Sequence, residues 1–141
     1  MSWIKLSGIL RYEPYRGPEF KKQHKTQTLI IDIGNRGNEL DLYYQWFLKK
    51  KFGSFLEMQR PLFGTHVTVV GGTEYIPNLS AWKKYEREQV EFEYSPELNL
   101  TYQFWSLPVR CHRARQIRDE LGLKQKINLH ITIGRLHNWQ L

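Results

Sequence analysis

The sequence predicts an α+β domain in which most of the sheet is antiparallel. Two observations support this: strand-like segments outnumber helix-like segments, and the order of two strands, a helix and a strand occurs twice along the chain. A chain of 141 residues has the length of one compact domain, and no linker or change of composition divides it. We therefore expect residues 1–141 to form a single domain.

Six segments have the signature of strands, which is either alternation of apolar and polar residues or a run of β-branched residues. The predicted strands are residues 3–11, 26–34, 64–72, 89–95, 98–109 and 127–135. A long loop that contains proline, glycine and lysine separates the first two strands. Loops of this length are often functional.

Two segments have helix signals. In the first, Asn38 suits the N-cap position, three lysines occupy the last turn and Gly53 follows. Its apolar residues recur at helical spacing, and we expect them to form a buried face: Leu40, Tyr43, Tyr44, Phe47 and Leu48. The second predicted helix covers residues 110–121 and ends at Gly122.

The composition excludes several classes of protein. With 40% hydrophobic and 14% aromatic residues the chain is too apolar to stay disordered, yet no run approaches the roughly 20 apolar residues of a membrane span. The first residues lack the apolar segment of a secretory signal, so we expect a cytoplasmic protein. Cys111 is the only cysteine, which excludes an internal disulfide. The net charge of +7 favours encounters with phosphates.

Two predicted strands carry the same three-residue pattern, histidine, any residue, threonine. The first copy is His66 with Thr68, and the second, 64 residues later, is His130 with Thr132. Because alternate side chains of a strand share a face, each strand presents an imidazole and a hydroxyl on one side and β-branched apolar residues on the other. One such triplet is common, but two copies at equivalent places in two half-chains indicate a shared site.

Cleavage of a phosphodiester needs a base for the attacking oxygen and an acid for the departing oxygen, and histidine serves as either near pH 7. The threonine hydroxyls can donate hydrogen bonds to the non-bridging oxygens. A metal site is the competing interpretation, but neither motif has a second histidine or a carboxylate at ligand spacing, and threonine is a poor zinc ligand. We therefore expect catalysis without a metal or another cofactor.

These motifs resemble those of the 2H phosphoesterase superfamily, which includes 2',3'-cyclic phosphodiesterases and LigT-like RNA enzymes. The resemblance implies a bilobal fold with pseudo-twofold symmetry, in which two mainly antiparallel sheets with flanking helices surround a central groove. It also implies that His66, Thr68, His130 and Thr132 are the catalytic residues. Segments such as QRPLFGTHVTVVGG further resemble the compact phage-encoded branch with the anti-CBASS nucleases, which destroy cyclic oligonucleotide signals of bacterial immunity.

The resemblance implies attack by a ribose 2'-hydroxyl on the adjacent 3'-5' bond of a cyclic di- or trinucleotide, in the host cytoplasm if a phage encodes the protein. Aromatic rings would stack on the bases, and an arginine would contact phosphate. The candidates for substrate binding are Tyr12, Tyr15, Trp82, Trp105 and Arg135.

Two alternatives remain open at this stage. The same site could open 2',3'-cyclic phosphate ends of RNA during repair, or the chain could be a non-catalytic RNA-binding module that depends on its basic surface. The sequence indicates no obligate protein partner and no membrane partner, and it leaves a homo-oligomer open.

Overall fold

A computed structural model of the protein describes residues 2–14, 27–52, 58–59, 64–101, 104–126 and 128–136. The strands in these ranges are β1 (Ile4–Tyr12), β2 (Leu29–Asp32), β3 (Met58–Gln59), β4 (His66–Val70), β5 (Gln89–Tyr94), β6 (Asn99–Thr101), β7 (Phe104–Arg110) and β8 (His130–Leu136). The helices are α1 (Asn35–Phe52) and α2 (His112–Glu120), and a short 3-10 turn covers Leu79–Ala81.

The eight strands form one sheet in the order β3-β8-β4-β2-β1-β5-β7-β6, and an additional pairing of β8 with β7 closes six of them into a barrel. Strand β3 extends the ring beside β8, and β6 extends it beside β7. All of these pairings are antiparallel. The predicted α+β class with mainly antiparallel sheet is confirmed, but the described strands form one sheet where two were expected.

A row of apolar side chains crosses the interior of the barrel from strand to strand. The register places these residues side by side on β1, β2, β4, β8 and β7, and each is fully buried: Leu10, Ile31, Val67, Ile131 and Leu107. Burial of such a side chain stabilises a fold by roughly 1.5–3 kcal/mol. The register of the barrel therefore follows from its packed interior.

Two predicted elements differ from those observed. Helix α1 begins at Asn35, so Asn38 lies inside it and is not the N-cap. The predicted strand 98–109 is divided into β6 and β7, which pair with each other. Both differences arise because the sequence marks these features only weakly. The first residue of a helix has no unique sequence signal, and a pair of strands close together in sequence resembles one longer strand.

The predicted buried face of α1 is only partly correct. Tyr44 and Leu48 are buried, but Tyr43 is 53% exposed and Phe47 is 38% exposed. The buried stripe also includes Asp41, a polar residue that the apolar pattern did not indicate. Within the described ranges, neither helix is both long enough and apolar enough to cross a membrane.

Gly8 allows the end of β2 to approach β1 closely. A Cβ atom at this position would lie 2.6 Å from Cγ2 of Ile31 and 2.7 Å from the carbonyl oxygen of Asp32. Any side chain here would displace the end of β2, because packed interiors cannot absorb such contacts without moving backbone. Gly8 thereby helps to position Asp32, which lies beside the first motif.

A buried arginine joins α2 to the end of β4. The side chain of Arg118 is 4% exposed, and its guanidinium donates to the carbonyl oxygens of Val69 and Lys124, each at 2.8 Å. The guanidinium also donates two hydrogen bonds, of 2.7 and 3.0 Å, to the carboxylate of Glu74. The carboxylate of Glu74 in turn accepts a hydrogen bond from the backbone N–H of Gly71. The hydrogen bond from Arg118 holds the pKa of Glu74 below its usual value.

Replacement of Glu74 by glutamine leaves the charge of Arg118 buried without its counterion. We expect the free energy of unfolding in urea at pH 7 to fall by about 3 kcal/mol. Because the pKa of Glu74 is lowered in the folded protein, its contribution is present above the unfolded pKa of about 4.5 and is lost as pH falls through the folded value.

The control is Glu13→Gln, which removes the ion pair with Lys83, a side chain that is 55% exposed. This change should cost about 1 kcal/mol or less. Equal costs for the two variants would contradict a special role for the pair of Glu74 with the buried Arg118.

Candidate active site

The two histidine-threonine motifs lie on neighbouring strands of the barrel. Val67 of β4 is paired with Ile131 of β8 in antiparallel register. Residues on either side of such a pair also face each other, so His66 lies across from Thr132, and Thr68 lies across from His130. The register thus gathers two imidazoles and two hydroxyls into one patch.

The alternation of the strands directs this patch to the outer face of the barrel. Val67, Val69, Ile131 and Ile133 are fully buried in the interior. The motif side chains alternate with these residues. His66, Thr68 and Thr132 are partly exposed, and His130 is exposed. The barrel wall therefore separates the reactive groups from the apolar core.

Each motif imidazole is held by the backbone two residues before it. Nδ1 of His66 lies 2.7 Å from the carbonyl oxygen of Gly64, and Nδ1 of His130 lies 2.8 Å from that of Asn128. A carbonyl oxygen only accepts, so Nδ1 carries the proton in both rings. In the neutral imidazole the lone pair is then on Nε2, which is the nitrogen that can accept a proton. Gly64 has a φ of +70°, a conformation that favours glycine.

The two imidazoles differ in their surroundings. Burial lowers the pKa of His66 below its ordinary value, and the nearby His130 lowers it further. The Gly64 carbonyl and the Asp32 carboxylate act in the opposite direction without reversing the shift. His66 is therefore neutral at pH 7, the form that a general base requires.

Asp32 is a neighbour of the site that neither sequence motif indicates. It is paired with His66 in the register of β2 and β4. Its carboxylate accepts from Nε of Arg11 at 2.6 Å and from the backbone N–H of Gly34 at 3.0 Å. A local signal did exist, since alternation in the segment LIIDI puts this aspartate on the face opposite the core, but the pairing of β2 with β4 is a long-range feature.

A groove of about 630 Å³ adjoins the second motif. His130, Thr132 and Ser106 form part of its lining, and Trp3, Phe104 and Arg110 line it as well. Its volume lies within the range of small-molecule sites, about 300–1,000 Å³. The sequence analysis did not single out the three residues of this last group, because they approach the motif only through the pairing of β7 with β8 and through the position of the amino-terminal segment.

The structure does not bring three of the predicted substrate-binding aromatics to the motif patch. Tyr12 is 5% exposed, belongs to the interior core and meets Trp82 edge-on, with ring centroids 4.8 Å apart. Trp82 packs against the same core. Trp105 packs against Leu48 of α1 and does not line the groove beside His130.

The side chains of two further predicted residues lie outside the described part of the structure. Tyr15 falls between the described ranges, and only the backbone of Arg135 is described. That backbone is paired with Phe104 of β7.

No group of three or more histidine, cysteine, aspartate or glutamate side chains that could hold a metal ion occurs among the residues that the structure describes. Cys111 is buried, and this burial raises the pKa of its thiol, which disfavours the nucleophilic thiolate.

Comparisons with family models, with curated proteins and with solved structures find no match for this chain. The interpretation of the site therefore depends on its own residues and their geometry.

Replacement of Asp32 by asparagine removes the negative charge that opposes the lowering of the His66 pKa. We expect the pKa of His66, followed by the NMR shifts of its ring protons, to fall further below 6.5. Asp119→Asn on α2 is the matched control and should leave this titration unchanged. A rise in the His66 pKa in Asp32→Asn would contradict the electrostatic arrangement described here.

Proposed function

We propose that this chain is a metal-independent phosphodiesterase that cleaves 3'-5' bonds of cyclic di- and trinucleotides. The observation that carries the proposal is the pairing of Val67 with Ile131, which gathers both motifs into one patch. Two imidazoles can supply the base and the acid of phosphodiester cleavage, and two hydroxyl groups can donate to the non-bridging oxygens.

In the proposed first step, the ribose 2'-oxygen attacks the adjacent phosphorus, and the bond from phosphorus to the 5'-oxygen breaks. His66 takes the proton of the 2'-hydroxyl, and protonated His130 gives a proton to the departing 5'-oxygen. The product is a 2',3'-cyclic phosphate. The hydroxyl groups of Thr68 and Thr132 donate to the non-bridging oxygens and stabilise the charge that develops there.

The assignment of base and acid rests on the difference between the imidazoles. The lowered pKa of His66 keeps this ring neutral at pH 7. His130 is the more exposed ring and borders the groove, where a leaving group has room to depart.

A second step opens the cyclic phosphate by reversing these roles. Water attacks phosphorus and the bond to the 2'-oxygen breaks, while His130, now neutral, takes a proton from water. His66, now protonated, gives its proton to the 2'-oxygen. Both imidazoles return to their starting states, so no external acid or base is consumed.

The proposed substrate is a small cyclic nucleotide of the kind used as a signal in bacterial immunity, and destruction of that signal is the proposed role. A groove of about 630 Å³ beside the motif supports a small ligand over a long RNA strand, which needs an extended basic track. The proposal includes the finer fold assignment, a bilobal 2H phosphoesterase domain. The order of elements supports it in part, since a helix precedes the motif strand in each half-chain, α1 before β4 and α2 before β8.

The direct test is incubation of the purified protein, in EDTA, with 3'-5' and 2'-5' linked cyclic di- and trinucleotides and with adenosine 2',3'-cyclic phosphate, followed by chromatography and mass spectrometry. We expect loss of the 3'-5' linked rings, and a decrease of roughly 10²–10⁴-fold in His66→Ala and in His130→Ala. A ring without 2'-hydroxyls should resist cleavage.

His112→Ala is the matched control, because His112 is an exposed histidine of α2 outside both motifs. It should retain full activity. Cleavage of the mononucleotide alone would favour processing of RNA ends. Failure to turn over any substrate would favour the non-catalytic RNA-binding module, whose binding should weaken steeply with salt.

A further inference from the structure

The groove beside His130 has walls suited to a nucleobase. Phe104 at the start of β7 is 42% exposed and lines the groove. Trp3 lines it as well, and the guanidinium carbon of Arg110 lies 4.3 Å from the centroid of the Trp3 ring. Aromatic faces and a stacked guanidinium are the surfaces on which proteins bind unpaired bases.

The Trp3–Arg110 wall is held in place before any ligand arrives. Nε of Arg110 donates to Glu93 at 3.0 Å, and the two residues are a cross-strand pair of β7 and β5. The carboxylate on one side and the indole on the other fix the guanidinium, which reduces the entropy cost of binding. The glutamate also offsets the charge of the arginine, so this wall suits a flat uncharged ring better than a free phosphate.

The groove lies on one side of the motif patch only. Among the described residues, His130, Thr132 and Ser106 belong to its lining, whereas His66 and Thr68 do not. On the opposite side, His66 is next to Asp32 and the Arg11 ion pair. In an in-line displacement the attacking and leaving oxygens lie on opposite sides of phosphorus. A leaving group on the His130 side therefore enters the groove.

We propose that this groove is a subsite for the nucleoside whose 5'-oxygen departs, with its base held between Phe104 and the Trp3–Arg110 pair. This inference rests on the proposed function and names which nucleoside of the substrate the groove binds. In the second step water takes the place of the departed 5'-oxygen at phosphorus, so contacts with that nucleoside's base assist the first step.

The experiment compares two substrates that differ in this nucleoside. Adenylyl-3',5'-adenosine has it, and adenosine 2',3'-cyclic phosphate lacks it. Trp3→Leu and Phe104→Leu keep apolar volume but remove the π-face. We expect kcat/KM to fall in each variant for both substrates or for the dinucleotide alone, with a fall for the dinucleotide that is larger by roughly ten-fold or more than any fall for the mononucleotide.

The matched control is Trp46→Leu on α1. Trp46 is 57% exposed and has Lys50 at 5.0 Å from its ring centroid, so it reproduces the pairing of an indole with a cation outside the groove. This variant should cleave both substrates as the wild-type protein does. Equal losses on both substrates in the groove variants, or no loss on either, would overturn the subsite.

A binding measurement tests the subsite independently of the reaction. Deoxyadenylyl-3',5'-deoxyadenosine lacks the attacking hydroxyl, and its affinity can be measured by calorimetry without turnover. We expect Trp3→Leu to weaken it by roughly ten-fold, with no change in Trp46→Leu. If the wild-type protein binds this probe in that pattern but cleaves neither these ribonucleotides nor the 3'-5' linked rings, the proposed function fails and the nucleoside site stands. Absence of binding to the wild-type protein overturns the subsite.

Discussion

The register between β4 and β8 is the constraint on which the candidate active site depends. Val67 opposite Ile131 puts both motifs on the outer face of the barrel. A shift of one residue in β8 would turn His130 and Thr132 into the core and expose two isoleucines, because side chains alternate along a strand. The buried interior row opposes that shift, so apolar packing determines where the imidazoles lie.

The two motifs have the same pattern of residues but different neighbours in the barrel. The first has β2 beside it and lies next to Asp32, whereas the second has β7 beside it and borders an open groove. These surroundings bury one imidazole more than the other and lower the pKa of His66. Separation of two like groups by environment is a common way to obtain an acid and a base from the same residue type.

The sequence was informative where a structural signal is local. Alternation within HVTV and HITI predicts which side chains face the core, and the structure shows that arrangement. Closure of the barrel and the position of Asp32 depend on pairings between distant segments, which no local pattern encodes. The pairing of β6 with β7 is local, but the sequence marks it only weakly. In α1 the helical period was correct, but the buried stripe is centred on Tyr44, and the outer aromatics remain exposed.

The inner and outer surfaces of the barrel wall differ in how freely their residues can change during evolution. Residues on its inner surface are constrained by tight packing, where even a methyl group matters. Groove residues such as Trp3 and Phe104 lie on the other surface and can be exchanged at little cost to folding. A lineage could therefore change the ligand that the groove accepts through substitutions on the outer surface while the same core continues to hold both histidines. In such a lineage, ligand preference would diverge faster than the fold.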